Sequence, residues 1–286
     1  MSNNINWGKI YESTAWGSGV TDNNISWGKS YADLAGGGGG FDADYQAVLD
    51  QASSLGYTAP SAAQQTLQNT LVTDLKTAGV WDKLDLFYVF ATDGDSDYAT
   101  LNWKTPTSFQ TTKVNSPTFT SNEGYQGDGS SSYLDTNFIP NTNSIAASQN
   151  SISAGGYNIQ AATSAYDNII GTNAGNNILV APTFSGDSFF RINDGGTFRP
   201  YTTNLAGFYG ISRSASNLST LLGPDGVTHI SNNPSLSGLS IGSLHIQSWS
   251  APVKSNAKVS IVFYGGDVTS ELSDFKTAID NYIAGL

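Results

Sequence analysis

Between about residues 85 and 265 the chain proceeds in short apolar or aromatic runs, each closed by Gly, Asn, Ser, Asp or Pro. Many short strands joined by tight turns require that cadence, and it leaves no room for a helical repeat or βαβ alternation. The run LFYVFA at 86–91 has the near-continuous apolar character of a strand buried on both faces. An Asp/Gly turn follows, and YATLNW at 98–103 again favours strand by its aromatic and β-branched content. Further runs lie at 168–171, 177–181, 188–192, 207–211, 239–249 and 259–264, and Pro224-Asp225-Gly226 marks a hairpin turn. The expected body, residues 85–286, is mostly β: an antiparallel sandwich with a terminal helix.

Helical period appears on either side. In 41–84, Tyr45, Val48, Leu49 and Ala52 make one short face that stops near Gly56. Pro60 and Ser61 open a second helix, with Ser61 and Gln64 in capping-box positions. Leu67, Leu71 and Leu75 form its stripe before Gly79 stops it. This helical collar needs a partner: its own sandwich, or two further copies about an axis. At the other end Leu272, Phe275, Ile279, Tyr282, Ile283 and Leu286 predict a helix after Gly265-Gly266-Asp267.

Residues 1–40 are different. Ile5-Asn-Trp-Gly-Lys with Tyr11 returns twenty residues later as Ile25-Ser-Trp-Gly-Lys with Tyr31, and Trp16-Gly17 lies between. Large aromatics along a polar arm suit pockets on a partner, so Trp7, Tyr11, Trp16, Trp27 and Tyr31 are the expected docking anchors. Five glycines at 36–40 read as a hinge.

Charge and composition remove several functions. The formal net charge is −11 with three arginines, which argues against a phosphate-tracking surface and nucleic acid. There is no cysteine, hence no disulfide framework, thiolate metal site or Cys nucleophile. The first residues carry no apolar leader and no stretch approaches a membrane span, so synthesis in a cytoplasm is expected.

The segment FYVFATDGD, YATLNWK and NSPTFTSNEGYQGDGSSSYLDTN, with the strand-to-helix passage near 257–286, resembles a module of bacteriophage structural proteins. Those are tail-fibre, head-fibre or spike components built on a concanavalin A/laminin G-like jelly roll. The resemblance implies a virion protein attached through residues 1–40 to other virion proteins. It implies a homotrimer, and a sandwich that binds a host-surface glycan or receptor. A purely structural role, as capsid decoration, spike base or baseplate element, is the alternative. A glycan depolymerase comes third.

Glycan hydrolysis needs two carboxylates flanking a bond. The glutamates are Glu12 in the arm, Glu123 in a loop and Glu271 at the terminal helix, with no Glu-x-Asp-x-x-Glu run, so no catalytic residue is assigned. Asp93-Gly-Asp95-Ser-Asp97 resembles the start of a calcium loop and is the candidate Ca²⁺ site, though Tyr98 and Lys104 stand where an EF-hand needs Gly and Glu. No other cofactor is implied. His229 and His245 lack ligand spacing, and His245 alternates with Leu244 and Ile246 as on the solvent face of a strand. Sugar rings stack on aromatics while amides and carboxylates bond their hydroxyls. Tyr157 with Asn158, Tyr166 with Asp167, and Tyr201 are therefore the candidate ligand residues.

Overall fold

A computed structural model describes residues 40–286 apart from 173, 197, 202–204 and 251–252. The arm anchors Trp7, Tyr11, Trp16, Trp27 and Tyr31 lie outside the described residues. Two antiparallel sheets face one another. The larger runs β13 (Thr228–Ser231), β12 (Leu218–Leu222), β11 (Gly207–Ala215), β6 (Ile152–Gln160), β17 (Lys258–Gly265), β4 (Gly124–Gln126), β3 (Thr118–Thr120), with β1 (Leu84–Val89) also on β17. The smaller runs β10 (Asp187–Ile192), β9 (Ile178–Phe184), β8 (Ile170–Thr172), β14 (His245–Ile246), β5 (Tyr133–Asp135), β2 (Thr112–Val114), with β7 (Tyr166–Asp167) on β9. A two-stranded ribbon joins β15 (Ser248–Ser250) to β16 (Val253–Lys254). The mostly β, antiparallel sandwich expected from the sequence is the observed fold.

Period-two alternation divides the side chains of the larger sheet. Leu86, Tyr88 and Phe90 point between the sheets with Ala154, Tyr209, Val262 and Tyr264, meeting Leu134, Ile170, Val180, Phe190 and Ile246 from the smaller sheet. Phe87 and Val89 point the other way with Phe208, Ile261 and Phe263, into a second core closed by helices. Residues 41–286 thus form three layers: helices, larger sheet, smaller sheet. Residues 86–91 are apolar throughout because their strand lies in the middle layer.

The helices are α1 (Ala43–Leu55), α2 (Ala62–Thr77) and α3 (Leu272–Ala284). Asp42 caps α1, its carboxylate accepting from the Asp44 amide, and Gly56 in the left-handed region ends it. Val48, Leu71, Leu75, Phe275 and Ile279 share the core with Phe263, and the Phe263 and Phe275 ring centroids lie 4.5 Å apart. Each such fully buried side chain contributes roughly 1.5–3 kcal/mol. Residues 41–84 and the sandwich belong to one unit, Phe41–Leu286, so the helices are a layer of the sandwich and the boundary expected at 84 is not a structural one. The Leu71 and Leu75 stripe is covered by its own chain.

One predicted strand is a turn instead. Residues 98–100 form a 3-10 turn because Asp95 Oδ1 accepts from the amides of Asp97 and Tyr98, which folds the backbone back on itself. Trp103 beyond it packs between Tyr45 and Phe87.

Candidate functional site

The three-layer arrangement leaves one broad sheet surface without a helical cover, the outer face of the smaller sheet. Strand register assembles a row across it. Thr112 faces Asp135, Asp135 faces His245, His245 faces Gly171, Gly171 faces Leu179, and Leu179 faces Arg191. From β10 to β5 there are four strand intervals, roughly 19 Å at about 4.8 Å each. Gly171 is the low point of the row. A Cβ there would stand 3.1 Å from Trp249 Cδ1, so the glycine lets the indole settle onto the sheet. The indole Nε1 donates to the Thr172 carbonyl at 3.1 Å and fixes the ring.

Trp249 begins a chain of aromatic contacts. Its centroid is 5.6 Å from Phe184, which lies 5.3 Å from Phe189 and 5.0 Å from Tyr166, all edge to face. Phe184, Phe189 and Trp249 gather over Leu179 and Ala181. At the other end Tyr133 lies 4.8 Å from His245, and the Lys254 amine is 4.2 Å from the Tyr133 ring centre. Phe184, Trp249, Tyr133, Tyr166 and His245 are all part-exposed. Apolar ring faces framed by polar groups are what the C–H face and hydroxyls of a sugar need.

Asp135 sits within the row. Burial pushes its carboxyl up, but the nearby His245, the Ser243 hydroxyl and the Asn137 amide outweigh that and hold it at about 2. The carboxylate lies between serine and imidazole, so the Ser243 proton goes to the carboxylate and not to His245. That order does not activate a nucleophile. It does give a pH dependence. A carboxyl depressed from 3.8 to about 2 contributes stability that is present above pH 4 and lost as pH falls toward 2. The term is on the order of 2 kcal/mol. In urea unfolding, Asp135→Asn should be less stable than the parent at pH 6, with the gap closing toward pH 2.

The residues expected from the sequence fall in four places. Tyr166 joins the aromatic face. Asn158 and Asp167 are buried beneath it: Asn158 Nδ2 donates to Asp167 Oδ2 at 2.9 Å and Asn158 Oδ1 accepts from the Gly207 amide at 3.1 Å. They tie the two sheets together and are not ligand contacts. Tyr157 points to the helical side, lining a shallow 360 Å³ groove with Pro224, Lys276, Asp280 and Ile283. Tyr201 is core, its ring against Phe190, Tyr209 and His229 and its hydroxyl donating to Asp225 at 3.1 Å.

The candidate calcium loop is a clamp. Asp93 Oδ1 accepts from the Ser61 amide at 2.9 Å, Asp95 Oδ2 accepts from the Thr58 amide at 2.7 Å, and Asp97 pairs with Lys113 at 2.6 Å. The three carboxylates diverge to separate partners, and among the described residues no group of three His, Cys, Asp or Glu could hold a metal. Nor is any described helix long and apolar enough to cross a membrane.

The fold defines a two-sheet antiparallel β-sandwich with an open aromatic face. No family model matches the chain, and no curated protein does. Solved structures similar to it include a Trypanosoma rangeli sialidase mutant displaying trans-sialidase activity, at 10% identity, TM-score 0.48, over 78% of this chain and 40% of that one. Domain 4 of AbnA, a GH43 extracellular arabinanase from Geobacillus stearothermophilus in complex with arabinotriose, is 12% identical, TM-score 0.40, over 68% of this chain and 98% of the domain. The botulinum neurotoxin serotype D binding domain is 11% identical, TM-score 0.40, over 70% of this chain and 52% of that one. The chain spans about two-fifths of the sialidase's length.

Proposed function

We propose that this chain is a non-enzymatic glycan-binding component of a bacteriophage virion, a fibre or spike protein that holds a host-surface saccharide on the outer face of its smaller sheet. The observation that carries the binding part is the row of part-exposed rings from Tyr133 and His245 through Trp249 to Phe184. Stacking on fixed rings orders little of the protein, since Trp249 is already held by its indole bond and by the sheet under it. Asp135, the carboxylate within the row, is occupied by Ser243 and His245, and Asp187 by Arg199. A binding face fits those engagements better than a hydrolytic pair. The virion assignment rests on the sequence resemblance and on the repeated Trp-Gly-Lys arm, which would attach the sandwich to other virion proteins. Trimeric display would then turn weak single sites into avid adhesion.

A structural role in the particle has one observation in its favour. Ile145 is 95% exposed, yet its loop is pinned by Asp85, whose carboxylate accepts from the amides of Ile145, Ala146 and Ala147. A rigidly presented isoleucine suits a protein neighbour.

The test is adsorption competition. Full-length protein is added to host cells before phage, and free phage is counted over time. Dose-dependent blocking by the parent is expected, with Trp249→Ala about 10- to 30-fold weaker while still melting cooperatively as a folded protein, as for an interface anchor. Blocking by the variant equal to the parent would remove the aromatic face from the function. Absence of cell binding by the folded parent would favour the structural role.

A further inference from the structure

The chain has three arginines and a formal net charge of −11. One of them, Arg213, is fully buried and paired with Asp194. The other two meet at a single ring. The Arg191 guanidinium carbon lies 4.7 Å from the Phe189 centroid, and that of Arg199 lies 4.9 Å from it. Their charges are therefore within about 10 Å of one another, roughly one Debye length at 0.1 M salt. Asp187 answers Arg199 at 3.1 Å. Arg191 Nε donates to the Gly196 carbonyl at 3.0 Å, and among the described residues no carboxylate pairs with Arg191. Cation–π contact holds both guanidiniums where they are. The spot keeps a surplus positive charge on an otherwise acidic protein.

Its position gives the surplus a meaning. Phe189 is the end of the aromatic row, on β10 at the edge of the smaller sheet. A saccharide stacked on Trp249 and Phe184 has its next unit directed at the arginine pair. A planar guanidinium fork matches a carboxylate in two parallel hydrogen bonds. We infer that the glycan held by this face is acidic, a saccharide bearing a carboxylate such as a uronic acid, with that carboxylate received by Arg191 and Arg199. This rests on the glycan reading above and narrows it to one chemical class. The pair confers preference, while the rings supply the common part of the affinity.

Full-length protein is tested on an array of matched pairs, oligogalacturonate, alginate and hyaluronan oligomers beside their carboxyl-reduced forms, with phosphorylated mannan as a second anion. The expected result is at least tenfold tighter binding of one or more acidic members than of their reduced partners. That advantage should shrink severalfold between 20 and 300 mM NaCl in the unmodified chain, a readout that needs no variant. In Arg191→Gln/Arg199→Gln, with folding checked by melting temperature, the acid-to-neutral ratio should fall to near one. Equal binding of acidic and reduced members, with the ratio unmoved by salt or by the double substitution, overturns the acidic assignment and leaves the glycan reading in place. Phosphorylated mannan retained in preference to every carboxylate also overturns it. If no array member is retained, both readings fall together.

Discussion

Arg213→Ala is expected to cost about 3–5 kcal/mol, the largest loss from any single side chain considered, because it breaks a buried ion pair by removing one partner. The guanidinium is fully buried. Its Nε donates to the Ile192 carbonyl at 2.8 Å, and Nη1 reaches the carbonyls of Ala215, Ser216 and Asn233 at 3.1–3.3 Å. Nη2 meets Asp194 Oδ2 at 3.0 Å. Burial already pushes the Asp194 carboxyl up against the attraction of Arg213, so without the arginine an uncompensated acid and four carbonyls remain inside. Denaturant unfolding should show the loss, with a melting temperature lower by on the order of 10 °C. Arg213→Met/Asp194→Leu should recover part of it by removing both charges, yet not all, since the carbonyls lose the guanidinium donors. A loss below about 1 kcal/mol for the single alanine would mean that water replaces the guanidinium and that the network is not structural. The consequence reaches the binding face. Through the Ile192 carbonyl and Asp194, Arg213 ties down the segment that holds Gly196, whose carbonyl positions Arg191.

The sandwich was legible because strand period and turn chemistry are local. Residues 177–181 and 259–264 announce strands by their own composition, and Pro224-Asp225-Gly226 announces its turn, with Gly226 at φ 74°. The site was not legible, because register decides it. Nothing local in Trp249 or Phe184 says that they meet; β9 and β15 are separated by more than sixty residues and become neighbours through β8. One signal was available. In 178–181 and 189–192 apolar or aromatic residues occupy both parities, more than one buried face needs, and the surplus is the outer cluster of Leu179, Ala181 and Phe189. Asn158 and Asp167 misled for the converse reason. A polar pair that bonds to itself and to backbone satisfies its own demands and can be buried, whatever its resemblance to a sugar contact.

The same reasoning makes Gln68→Leu a sharp test, because apolar burial and hydrogen bonding pull in opposite directions there. Leucine at 68 would lie one turn before Leu71 and Leu75 and by apolar burial alone should cost little. In the fold Gln68 is fully buried at the junction of all three helices and the sheet. Its Oε1 accepts from the hydroxyls of Tyr45 and Tyr98, both at 2.8 Å. Its Nε2 donates to Thr92 Oγ1 at 3.0 Å and approaches the Tyr282 hydroxyl at 3.4 Å, while that hydroxyl donates to the Ala91 carbonyl at 2.5 Å. One amide thereby joins α1, α2, α3 and the end of β1. Leucine has comparable bulk but no acceptor, so two buried tyrosine hydroxyls lose their partner at about 1–3 kcal/mol each, for a total of about 3 kcal/mol. Tyr45→Phe/Tyr98→Phe in the Gln68→Leu background should return most of that, since it removes the orphaned donors and leaves an apolar contact. Calorimetric melting of the three proteins distinguishes the cases. A stabilised or unchanged Gln68→Leu would show that the helical layer is held by its apolar stripe alone, and that the amide junction contributes nothing to holding helices on the sandwich.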